Sequence, residues 1–125
     1  MTFRNALISA WAVAGVSALL CGLVACGGKS PSPPPAAGLD INVTIANGQV
    51  TPTNATLQAK VKQQITFHVT SDVADELHVH SEPDHKFQVA AAPNQTFQLS
   101  VDVPGKVEVE LHHLDRTIAT IQVQP

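Results

Sequence analysis

Residues 39–125 predict an all-β domain. Two observations carry this: apolar residues recur with a period of two, and the runs are short and bounded by Gly, Pro, Asn and Asp. A third supports it, since no window shows the i, i+3, i+4 stripe of an amphipathic helix. Ile41, Val43 and Ile45 alternate with Asn42 and Thr44, and Asn47-Gly48 then signals a tight turn. Val50 precedes Pro52, which leaves residues 47–56 as either a loop or a bent edge strand. Leu57, Ala59 and Val61 alternate with Gln58, Lys60 and Lys62, and Ile65, Phe67 and Val69 with Thr66, His68 and Thr70. Leu77 and Val79 are interleaved with Glu76, His78 and His80, and Phe87 and Val89 form a short pair. Phe97, Leu99 and Val101 form the next run, and Pro104-Gly105 turns the chain. Val107, Val109 and Leu111 alternate with Glu108, Glu110 and His112, and Ile121 and Val123 close the sequence. Short alternating strands of this kind pack as a sandwich or a barrel.

The first 38 residues are different in kind. Arg4 is followed by an uncharged apolar run over residues 6–25, the layout of a secretory signal. The run is also long enough to span a bilayer as a helix. Its end decides between the two. Leu23-Val24-Ala25-Cys26 resembles the lipobox of bacterial lipoproteins, in which lipid is attached to the cysteine and cleavage falls just before it. Cys21 is a poor rival, because Leu20 stands where a small residue is needed. The expectation is a signal peptide over residues 1–25, lipidation at Cys26, and a Pro/Gly-rich tether over residues 26–38. Such a chain works on the extracytoplasmic side of a membrane and contacts it through lipid on Cys26.

Composition narrows the chemistry of the remaining domain. The 125-residue chain carries a formal net charge of −3 and has no basic cluster, so nucleic acid is a poor partner. Both cysteines and the single methionine lie within the first 26 residues, so the domain has no sulfur ligand and no disulfide. Gly27-Gly28-Lys29-Ser30 lacks the full phosphate-loop pattern. Ser81 sits too close along the strand to His80 to form a nucleophile–base pair, so no enzyme is expected. Glu108 and Glu110 share one strand face and read as a solvated edge.

Six histidines fall in the domain: His68, His78, His80, His85, His112 and His113. On a strand, His78 and His80 point to one face while Leu77 and Val79 point to the other. An H-x-H pair offers two imidazole nitrogens to one ion, and imidazole suits Cu(II), Zn(II) and Ni(II). His85 follows a bend at Glu82-Pro83-Asp84 and is expected to fold back as a third ligand. Only one of His112 and His113 can share a face with the others. Asp72, Asp75, Glu76 and Asp84 supply carboxylates, as ligands or as partners that hold a ring in place. The competing reading is that the rings line the polar face of an exposed sheet, His68 most readily.

The stretch Val69-Thr70-Ser71-Asp72-Val73-Ala74-Asp75-Glu76-Leu77-His78-Val79-His80, followed by Pro104-Gly105-Lys106-Val107-Glu108-Val109-Glu110-Leu111-His112, resembles the bacterial cupredoxin-like domains, including the one found with periplasmic iron-uptake lipoproteins. The resemblance implies a Greek-key β-sandwich of seven or eight strands. It places the family's first histidine ligand at His78 or His80 and its cysteine ligand at His112 or its neighbour. The loop beyond contains neither Cys nor Met, so a blue (type 1) copper centre cannot form. What the resemblance leaves is a site of His80, His85 and His112 for Cu(II) or Zn(II), with His78 in place of His80 if the strand phase differs. The alternative is a metal-free sandwich that binds another envelope protein.

Overall fold

A computed structural model describes residues 37–125. The predicted signal peptide, Cys26 and nearly all of the tether lie outside the described residues. Among the described residues, nine strands form two sheets. In chain order they are β1 (Leu39–Ala46), β2 (Gln49–Thr51), β3 (Ala55–Lys60), β4 (Ile65–Ser71), β5 (Asp75–His80), β6 (His85–Val89), β7 (Gln95–Leu99), β8 (Gly105–Leu111) and β9 (Arg116–Gln124). Sheet A runs β2-β1-β4-β7 and sheet B runs β3-β9-β8-β5-β6. Non-sequential neighbours such as β1/β4, β4/β7 and β5/β8 require the chain to cross between layers, as a Greek-key sandwich does.

Nine strands form where seven or eight were expected, and the extra one is β2. Asn47 and Gly48 adopt φ of 53° and 71°, the pair of positive values that a two-residue type I′ hairpin demands. The chain therefore folds back at once, and Gln49–Thr51 pairs with β1 in the register Ala46↔Gln49 and Thr44↔Thr51. Asp72 braces this turn by accepting the Asn47 N–H at 2.8 Å. Residues 47–56 are thus an edge strand, a three-residue crossing and the start of β3.

The core follows the alternation. Ile41, Val43, Ile45, Ile65, Phe67 and Val69 from sheet A meet Leu77, Val79, Val107, Val109, Leu111, Ile121 and Val123 from sheet B, all buried. Phe87 of β6 stacks on Phe97 of β7 with ring centroids 5.2 Å apart, joining the two sheets along one side of the sandwich. The β8/β9 register shifts between Val109 and Glu110, from Val109↔Ala119 to Glu110↔Thr117. Ile118 is the unmatched residue of this bulge, which explains why Ile118 and Ala119 are both buried though adjacent.

β8 lies inside sheet B, between β9 and β5. Glu108 and Glu110 are therefore on the outer face of a central strand, which corrects the expectation of a solvated edge. An alternating strand has the same signature at the edge and in the middle; only pairing separates the two.

Candidate metal centre

β5 is a short strand with an unusual outer face. Its inward residues Leu77 and Val79 are fully buried, so Glu76, His78 and His80 must point away from the core. The register sets His78 opposite Glu110 on β8 and opposite Lys86 on β6, and sets His80 opposite Glu108. Beyond the end of β8, His112 donates its backbone N–H to the Glu76 carbonyl at 3.1 Å, which brings its ring onto the same face.

Three imidazoles cluster there. The His78 and His80 rings lie 3.8 Å apart, centroid to centroid, and His112 meets His78 edge-on at 4.9 Å. His78 is covered by its neighbours, with only 8% of its surface exposed although it faces outward. Each ring has a carboxylate beside it: His78 Nε2 is hydrogen-bonded to Asp84 Oδ1 at 2.8 Å, His80 Nε2 to Glu110 Oε2 at 2.9 Å, and His112 Nδ1 lies 3.0 Å from Glu76 Oε1. His78 Nδ1 and His112 Nε2 lie 2.9 Å apart. Asp84 comes from the connection between β5 and β6. Its carboxyl is held below its ordinary value of 3.8, chiefly by the hydrogen bond from His78, with desolvation opposing and the charges of His78, Lys86 and His80 assisting.

His78, His80 and Asp84 each place one donor atom such that all three lie within 4.8 Å of one another. Three donors so placed could hold one ion. Two imidazoles and a carboxylate without sulfur suit Cu(II), Ni(II) or Zn(II).

The predicted set is thus divided. His78, His80 and His112 converge, and His85 does not join them. His85 pairs with Val79 across β5/β6, and cross-strand partners share a face, so it faces the core side. Its ring stacks near-parallel with Phe87 at 6.0 Å, and its Nε2 is buried with no hydrogen-bond partner. The expected trio of His80, His85 and His112 is therefore corrected: the four-residue bend over 81–84 returns the chain in the opposite phase, and Asp84 takes the place by His78 that His85 was expected to fill. His68 pairs with Asp40 at 2.9 Å on the outer face of sheet A, away from the cluster. His113 lies outside the cluster with its side chain exposed.

Asp75 holds the loop that carries His112. Its carboxylate is buried and accepts N–H groups from Glu76 at 2.7 Å, His113 at 2.8 Å and Leu114 at 3.1 Å. A single carboxylate thereby ties the end of β8 to the start of β5. The sequence marks Asp75 only as one acid among several; its burial is the missing signal.

No family model and no curated protein matches this chain. Solved structures similar to it include a Cu(I) form of an amicyanin mutant, with 17% identity over 68% of this chain and 82% of that one and a TM-score of 0.47. Another amicyanin mutant, in oxidised form, has 15% identity over 82% of this chain and 88% of that one, with a TM-score of 0.48. A purple cupredoxin from Nitrosopumilus maritimus has 14% identity over 69% of this chain and 99% of that one, with a TM-score of 0.49. What the cluster on sheet B can hold follows from its own side chains, not from these likenesses.

Proposed function

We propose that this chain is an envelope lipoprotein whose cupredoxin-like β-sandwich holds one divalent transition-metal ion, Cu(II) or Zn(II), through His78, His80 and Asp84. It would serve in storage, delivery or sensing of the metal, with no catalytic step. The supporting observation is the approach of three donor atoms, two imidazole and one carboxylate, to within 4.8 Å on one sheet face. The lipobox-like Cys26 and the proline-rich tether support a location on the outer side of a membrane. The absence of sulfur from residues 27–125 directs the chemistry away from blue copper and toward N/O coordination.

Calorimetric titration of the chain from Gly27 onward with Cu(II) and with Zn(II) tests this. One equivalent is expected to bind near neutral pH, and His80→Ala is expected to weaken binding. Absence of stoichiometric binding would sink the metal reading. A second reading then takes over, because His78 and His80 are each hydrogen-bonded to a carboxylate and His112 lies 3.0 Å from the Glu76 carboxylate, contacts that do not involve a metal. On that reading the domain is a metal-free module that binds another envelope protein.

A further inference from the structure

We propose that the outer face of sheet A carries a cleft for a neutral glycan, separate from the histidine cluster and independent of the metal reading. Ile41, Val43, Ile45, Phe67 and Val69 are buried, so Asn42, Thr44, His68 and Thr70 between them point outward. The register lines these side chains up in rows across the strands. Asn42 lies beside His68 and Thr44 beside Thr70, and His68 in turn lies beside Thr96 of β7. Neighbouring strands about 4.8 Å apart and same-face residues about 6.7 Å apart set a grid on the scale of a sugar ring. With Asn94, these side chains line an open cleft of about 200 Å³.

The walls of the cleft are fixed by the fold. Asn94 takes the left-handed conformation, with φ of 54°, and its N–H donates to Thr70 Oγ1 at 3.2 Å. Gln95 staples the turn that carries it: its side chain accepts the Ala90 N–H at 2.7 Å and donates to the carbonyls of Ala90 and Ala92 at 2.9 and 2.8 Å. At the other end Asp40 holds the His68 ring at 2.9 Å. The Asn42 amide and the Thr44 and Thr96 hydroxyls, all on exposed residues, are groups that both donate and accept, as sugar hydroxyls do. Charge is missing here. Asp40 is the one Asp, Glu, Lys or Arg in the strands of sheet A, whereas every Lys, Arg and Glu in a strand belongs to sheet B. A charged ligand therefore finds no counter-ion. The exposed valines Val73 and Val103 do not line the cleft, so an apolar ligand finds no surface. An extended peptide docks on a sheet edge or in apolar pockets, and this cleft is polar and lies on a sheet face. A preformed, uncharged set of hydroxyls and amides fits a polyhydroxylated ligand without an ordering cost.

The test is an ¹H–¹⁵N titration of the full chain, held in a detergent with a zwitterionic headgroup so that no sugar headgroup competes. The probes are neutral tetrasaccharides of β-1,4-linked N-acetylglucosamine, β-1,4-linked glucose and α-1,4-linked glucose. The cationic glucosamine tetramer and an anionic galacturonate tetramer are the controls. At least one neutral sugar is expected to shift amides of β1, β4, β7 and Asn94, and neither charged one to do so. Thr44→Val combined with Thr96→Val keeps both β-branched shapes and removes two hydroxyls. It is expected to weaken binding about tenfold and to leave the urea midpoint unchanged. Cosedimentation with purified insoluble cell-wall glycan is expected if the ligand is a wall polymer, and its absence assigns the site to a free oligosaccharide. If no neutral sugar moves these amides at millimolar concentration, if a charged tetramer binds as well, or if the paired valine variant binds like wild type, the proposal is overturned. Uptake of Zn(II) or Cu(II) by sheet B is untouched by any of these results.

Discussion

Replacing Asp75 by alanine is the sharpest probe of how the site is built. The carboxylate is 1% exposed and accepts three backbone N–H groups, two of them from the loop that follows β8. Hydrogen bonds to a charged acceptor contribute roughly 1.5–3 kcal/mol each, and buried donors left without an acceptor cost about as much. The Glu76 contact is local, so the two contacts to His113 and Leu114 dominate. Their loss is expected to cost about 3–5 kcal/mol, a large share of the roughly 5–15 kcal/mol that holds a domain folded. With a urea slope of about 1–3 kcal/mol/M, the unfolding midpoint should fall by about 2 M. Far-UV circular dichroism is the right probe, because the only tryptophan is Trp11 and there is no tyrosine. Asp75→Asn keeps one acceptor oxygen but sets an amide N–H₂ against a backbone N–H. It should fall in between, at about 1–3 kcal/mol. If Asp75→Ala moves the midpoint by less than about 0.5 M, the carboxylate is not the tie described here.

Three further outcomes are expected. Phe67 is fully buried in sheet A, so Phe67→Ala should cost about 3–5 kcal/mol in the same urea assay while leaving the histidine cluster's residues in place. The Asp84 carboxyl is lowered in the folded state, so its pairing with His78 stabilises the fold above the unfolded-state value and that gain is lost as pH falls through the lowered one. The midpoint difference between wild type and Asp84→Asn should accordingly be present at neutral pH and vanish in strong acid. Cys26→Ser should abolish incorporation of radiolabelled palmitate and leave the chain at its uncleaved length on a gel, because cleavage just before the cysteine depends on the lipid.

The strands were legible because period-two alternation reports a half-buried sheet directly, and Ile41-Asn42-Val43-Thr44-Ile45 or Val107-Glu108-Val109-Glu110-Leu111 needs no partner to be read. The shared face of His78 and His80 came from the same rule. Register is what the alternation does not carry. His85 was misplaced because its face depends on how many residues the bend over 81–84 spends, and pairing with Val79 set it on the core side. For the same reason Glu108 and Glu110 looked like an edge. The role of Asp75 was hidden because its partners are backbone N–H groups 38 and 39 residues away, which have no side-chain signature.

The lack of sulfur in residues 27–125 has a consequence beyond ligand choice. Cysteine and methionine are the side chains that peroxide converts stepwise to sulfenic, sulfinic and sulfoxide forms. The domain has neither, and it has no tryptophan or tyrosine. An oxidant that reaches this domain finds no thiol to exhaust and no thioether to make polar. Its core is aliphatic, with Phe67 as the one fully buried aromatic ring. The oxidisable side chains that remain in residues 37–125 are thus chiefly the imidazoles, three of them gathered on the outer face of sheet B.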